Sequence, residues 1–156
     1  MAKTMQQWFD AYGESHQHAT NVLIHWICVP TIYFCALGLL YSVPLPDGPD
    51  WLVPGFVAYV AIFAVMVFYM RLSVPLGGGM VLFSLLCLRV VYWLEAHAPW
   101  PLWAICLTLF ALAWIGQFYG HKVEGKKPSF LDDLQFLMIG PAWLMAKLFR
   151  RSGLSY

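Results

Sequence analysis

Charge is what this sequence has least of. Only 11% of its 156 residues are Asp, Glu, Lys or Arg, against about 25% in an ordinary soluble domain, while 61% are hydrophobic against about 45–50%. The surplus apolar surface excludes an ordinary soluble fold, and the chain as a whole does not alternate at helical or strand period with one wet face. A net charge of +1 with no basic block gives no footprint for nucleic acid. Met1 to Ser15 lacks the apolar core and cleavage site of a signal peptide, so the first apolar stretch is expected to act as the insertion signal. There is no C-x-x-C. Cys28, Cys35, Cys87 and Cys106 all fall in apolar stretches and read as reduced packing residues. Repeats, linkers and low-complexity tracts are also missing, which makes 1–156 a single integral membrane domain.

What is present is a set of apolar runs of bilayer length. Hydrocarbon about 30 Å thick needs about twenty apolar residues at 1.5 Å each. Trp51 to Met70 and Trp100 to Tyr119 supply that length without a charge, Asn21 to Tyr41 admits only Asn21 and His25, and Gly79 to Ala96 admits Arg89 and Glu95. The expected fold is therefore all-α, a multi-pass membrane protein with four transmembrane helices at about 21–41, 51–70, 79–96 and 100–119. Between them, Ser42 to Asp50 and Arg71 to Gly79 concentrate Pro and Gly and read as turns.

Two flanking segments read as interfacial amphipathic helices. Met5, Trp8, Phe9 and Tyr12 recur at helical spacing until Gly13, and Pro128-Ser129 with Asp132 resembles a capping box opening a helix from Phe130 to Arg150, interrupted at Gly140-Pro141. Of the nine Lys and Arg, all but Arg89 fall on one side of a four-span arrangement, whereas the loops at 42–50 and 96–99 have none. Basic residues stay cytoplasmic, so both termini are expected there, with the basic C-terminal end against anionic lipid. Arg89, deep in a span, suggests a function or a polar contact inside the bundle.

The histidines gather at that same end: His16, His18, His25 and His121, against a lone His97 that reads as a solvated loop residue. His25, Asn21 and His18 share one face of a continuous helix, and Gln117, His121 and Glu124 share another. Nine residues turn an ideal helix through 900°, which puts His16 opposite His25 unless the helix starts near Thr20 and the preceding segment folds back. Boundary histidines often bond only headgroups or carbonyls. Convergence from distant parts of the chain points instead to a metal site of open identity, since imidazole suits iron, copper, zinc and nickel alike.

The segments Ser15 to Phe34 and Gln117 to Trp143 resemble the Mpo1-like family. Its earlier pattern, a His, an Asn five on and a His four beyond, followed by Pro, is filled by His16, Asn21, His25 and Pro30. Its later pattern of Gln-x-x-Gly-His, then Glu, then Pro, is filled by Gln117, Gly120, His121, Glu124 and Pro128. The resemblance implies an Fe²⁺-dependent dioxygenase that shortens a 2-hydroxy fatty acid by one carbon with O₂. His16, His25 and His121 would bind iron, and Asn21, Gln117 and Glu124 would orient imidazoles or the substrate head, Glu124 having direct ligation as its other role. His18, standing where many members have Asn, is an extra candidate ligand. Two other classes stay open: a haem-binding or electron-transfer membrane protein, and a non-catalytic protein whose histidines contact lipid headgroups. Acyl chain length and oligomeric state have no signature in the sequence.

Overall fold

The computed structural model describes residues 4–46, 48–125 and 134–156, and in them six helices and no strand. These are α1 (Met5–Gly13), α2 (Ala19–Tyr41), α3 (Phe56–Leu72), α4 (Val74–His97), α5 (Leu102–Glu124) and α6 (Leu134–Arg151). Three of them, α2, α4 and α5, are long and apolar enough to cross a membrane, and α3 is a shorter apolar helix of 17 residues.

The bundle is organised around α2, which packs most extensively on α5 and also meets α3, α4 and α6. The α2–α5 approach is close because its contact points are small. A Cβ on Gly116 would lie 2.8 Å from Cys28 Sγ, and one on Gly120 would lie 2.4 Å from Asn21 Oδ1, so only glycine allows the two backbones this near. All four cysteines are buried and free. The starts of α2 and α4, the ends of α3 and α5, and both α1 and α6 meet at one end. There Phe9, Tyr12, Tyr69, Leu76, Ile139 and Trp143 belong to one buried cluster. At the opposite end Cys35, Val91, Leu102 and Cys106 form a second cluster.

Several sequence expectations change here. The second apolar run begins as a helix at Phe56 rather than Trp51, because Pro54 and Gly55, the latter at φ +78°, hold a turn. The run from Arg71 to Gly79, expected as a Pro/Gly turn, is almost wholly helical. Only Ser73 interrupts it, and its hydroxyl accepts from the Leu76 N–H. Pro75 falls in the first turn, where its missing N–H has no helical partner to lose. Gly77 lies flat on Met70, and tertiary packing overrides the weak helix propensity of the three glycines. α6 runs through Gly140-Pro141 without interruption, Gly140 admitting the Tyr12 side chain against its backbone. The expected capping box at Pro128-Ser129-Asp132 and the start at Phe130 lie outside the described residues. Arg89 faces outward from α4 instead of into the bundle, because the buried stripe of that helix runs through Met80, Ser84, Cys87, Leu88 and Val91. His97 is the last residue of α4, exposed and stacked on Trp93.

Candidate metal centre

α1 ends at Gly13 and α2 starts at Ala19, and the five residues between them turn the chain back on itself. That break is what moves His16 from the far side of a hypothetical continuous helix to the side of His25. The turn is pinned from three directions. His18 is the N-cap of α2, its Nδ1 accepting from the Thr20 N–H at 3.2 Å. From the end of α5, Glu124 accepts the Gln17 N–H through Oε1 at 2.9 Å, and the His18 N–H at 2.9 Å and Asn21 Nδ2 at 3.1 Å through Oε2. A carboxylate on free N–H groups at a helix start is favoured by both the orphan donors and the helix dipole. Asn21, fully buried, also donates to the Ser15 carbonyl at 3.1 Å.

The result is a buried set of three imidazoles. His16, His25 and His121 are 4%, 1% and 4% exposed, with ring centroids 4.2 Å (16 to 25), 5.2 Å (16 to 121) and 5.0 Å (25 to 121) apart, each pair edge to face. His16 Nδ1 lies 2.6 Å from the Tyr12 carbonyl, and His25 Nδ1 lies 2.9 Å from the Asn21 carbonyl. A carbonyl only accepts, so each Nδ1 carries the proton and each Nε2 keeps its lone pair. His16 stacks on Tyr12 at 4.1 Å, with Trp143 of α6 beside both rings. Gln117 is buried one turn before His121 on α5.

The set fits a transition-metal ion. His16 Nε2 and His121 Nδ1 are buried with no hydrogen-bond partner, a costly state for polar atoms unless something else occupies them. One ligand atom from each ring lies within 4.8 Å of the other two. Atoms so spaced lie on a circle of radius about 2.8 Å or less, within a small ring movement of the 2.0–2.1 Å typical of metal–imidazole bonds. Burial is also the main cause that pushes His16 down to about 3, with nearby His25 second, so its imidazole is neutral and ready to ligate at neutral pH. Of the sequence candidates, the structure brings His16, His25 and His121 together and surrounds them with Asn21, Gln117 and Glu124. It leaves His18 outside, exposed at the helix cap. Both Glu124 oxygens are occupied by the turn.

Sequence reading missed Tyr12, Ser15 and Trp143. The available signal was local: the last carbonyls of α1 have no helical donor, and His16 stands four residues after Tyr12 where it can take one. It also missed an apolar cavity of about 330 Å³ that begins at Tyr12, His16, Gln117 and His121 and continues between α2, α3 and α5.

The family model "2-hydroxy-palmitic acid dioxygenase Mpo1-like" matches residues 2–152. A curated relative, the 2-hydroxy-palmitic acid dioxygenase MPO1 of Saccharomyces cerevisiae, is 32% identical over 146 residues, covering 91% of this chain and 78% of its own. No solved structure matches. A match over nearly its whole length, spanning all three segments that carry the buried histidines, means that this chain belongs to the Mpo1-like family.

Proposed function

We propose that this protein is an iron(II)-dependent membrane dioxygenase that removes one carbon from 2-hydroxy fatty acids. The observation that carries this reading is three buried imidazoles, two of them with unpartnered nitrogens, at one end of an apolar cavity, in a chain of this family. The overall conversion balances as R–CH(OH)–COOH plus O₂ giving R–COOH, CO₂ and H₂O. The substrate loses four electrons and O₂ accepts them, so no separate reductant is required.

His16, His25 and His121 would hold the iron. When bound, iron supplies O₂ activation and a Lewis-acid anchor for the hydroxyl and carboxylate of the substrate head. The Tyr12 and Asn21 carbonyls fix the tautomers of His16 and His25 and aim their Nε2 lone pairs inward. Glu124 acts by fastening the turn that carries His16 rather than by touching the metal. Gln117, at the polar end of the cavity, is placed to hydrogen-bond the substrate head. The acyl tail would occupy the cavity, where water is excluded. Three imidazoles in mutual edge contact leave no gap for a macrocycle between them, which favours iron without haem. Rings this buried are also poorly placed for headgroup contact.

In this reading α2 to α5 all cross the bilayer, α3 spanning about 25 Å at 1.5 Å per residue, with α1 and α6 on the surface. The asymmetry of Lys and Arg puts both termini and the histidines on the cytoplasmic side. Arg89 is eight residues, about 12 Å, from the end of α4, and its long stem lets the guanidinium reach toward headgroups. The test is to incubate the purified full chain, in detergent with Fe²⁺ and air, with 2-hydroxypalmitate and analyse lipids by mass spectrometry. The expected product is pentadecanoate, formed only when O₂ is present. Folded, iron-loaded protein that makes none removes the oxygenase assignment.

A further inference from the structure

The cavity is polar at one end only. Tyr12, His16, Gln117 and His121 line that end, and three apolar stripes continue from there. On α2 the stripe is Val29, Ile32, Tyr33, Ala36, Leu37 and Leu40, a helical spacing that keeps one face on the cavity throughout. α3 contributes Ala61, Ile62, Val65 and Tyr69, and α5 contributes Phe110 and Trp114. The Tyr33 and Tyr69 hydroxyls are engaged elsewhere, with Ser84 and with the Met138 carbonyl, so the wall presents hydrocarbon and ring faces.

Toward its far end the lining stops at Leu40 on α2, Ala61 on α3 and Phe110 on α5. Next to Leu37, a Cβ on Gly38 would lie 2.3 Å from Cys106 Sγ, and next to Leu40 the Tyr41 ring lies against Gly55 at the foot of α3. Cys35, Val91, Leu102 and Cys106 pack beside this end, between α2, α4 and α5. From Val29 to Leu40 is eleven residues, about 16 Å of helix. An extended alkyl chain of C–C bonds near 1.5 Å advances roughly 1.25 Å per methylene, so this depth holds about thirteen methylenes.

We propose that the cavity ends blind at these residues and so measures acyl chain length, with Leu40, Ala61 and Phe110 as the specificity-determining residues and 2-hydroxy acids of about sixteen carbons as the longest that fit. This rests on the 2-hydroxy fatty acid reading above, with carboxyl and C2 at the histidines and the tail in the cavity. Ala61 is the most informative position. It stands eight residues, about 12 Å, beyond Tyr69 along α3, and its methyl is what leaves the last part of the cavity open. A phenylalanine there closes the space beyond it and leaves room for about ten methylenes.

The test measures binding as well as turnover on the full chain in detergent, by calorimetry with saturated 2-hydroxy acids of about eight to about twenty carbons. In the wild type, affinity should rise by about fourfold per added methylene and stop rising near sixteen carbons. In Ala61→Phe the break should move to about thirteen carbons, and in Leu40→Ala it should move the other way. Ala61→Leu serves if the phenylalanine variant fails to fold, with iron content as the check on folding. A break at the same length in wild type and variants, or affinity that climbs without a break to about twenty carbons, overturns the proposal. Acids that bind with the expected breaks but are never shortened would leave the ruler standing and remove the oxygenase assignment. Turnover without any break does the reverse.

Discussion

Glu124→Gln separates a carboxylate that positions a loop from one that ligates metal. The native side chain accepts three hydrogen bonds, from Gln17 N–H, His18 N–H and Asn21 Nδ2. An amide has one acceptor oxygen, so the variant keeps part of this set, turns an N–H₂ toward a donor, and loses the charge facing the start of α2. Hydrogen bonds to a charged group contribute about 1.5–3 kcal/mol each when well shielded. Glu124 is only half-buried, so about 1–2 kcal/mol for the whole change is the better expectation. All of that weakens the turn that carries His16 and leaves His25 and His121 in place. At 1.4 kcal/mol per factor of ten, iron affinity should fall by about five- to thirty-fold. Competitive titration of Fe²⁺ against a chelator of known affinity reads this directly. Unchanged affinity would mean that the turn needs no fastening from α5. Complete loss of binding, with the fold intact, would put the carboxylate on the metal and contradict the role given to it here.

Two further outcomes follow from the same geometry. His16 is held at about 3, chiefly by burial, against about 6.5 in an unfolded chain. Between those values the unfolded chain binds more protons, so the stability of the iron-free protein should be level above about pH 6.5 and fall as pH drops toward 3. Melting temperatures of wild type and His16→Gln between about pH 7 and 5 test it: the wild type should lose more, and equal losses would refute the buried neutral imidazole. Topology is tested by single cysteines at Ser42 and Ala98 in a background where the four buried cysteines are replaced. In sealed, cytoplasm-side-in vesicles both should react with an impermeant maleimide while one at Glu14 does not; labelling of Glu14→Cys alone would reverse the orientation.

The parts of the site that were legible in the sequence are those whose spacing lies within one helix. Asn21 with His25, and Gln117 with His121 and Glu124, need only the 3.6-residue period to share a face. His16 was legible only as one of the histidines gathered at one end and through the family pattern, because a continuous helix puts it on the wrong side unless the chain folds back before Thr20. Its place depends on a chain reversal held by Glu124 from more than a hundred residues away. Local propensity misled at Gly77 to Gly79, where close packing on Met70, Met145 and Phe149 makes a helix of what reads as a turn. Arg89 was misread inward because hydropathy gives its depth along a helix but not its rotation. The cavity had no signature at all, since its stripes on α2, α3 and α5 are apolar residues among other apolar residues.

Iron content is the most direct measure of the central claim. The full chain, loaded with Fe²⁺ under anaerobic conditions and desalted, should carry one iron per chain by elemental mass spectrometry, and His16→Ala, His25→Ala and His121→Ala should each lose nearly all of it while keeping their helix content. Stoichiometric iron retained in His25→Ala or His121→Ala, or a folded wild type that binds none, would contradict a centre built from these three imidazoles.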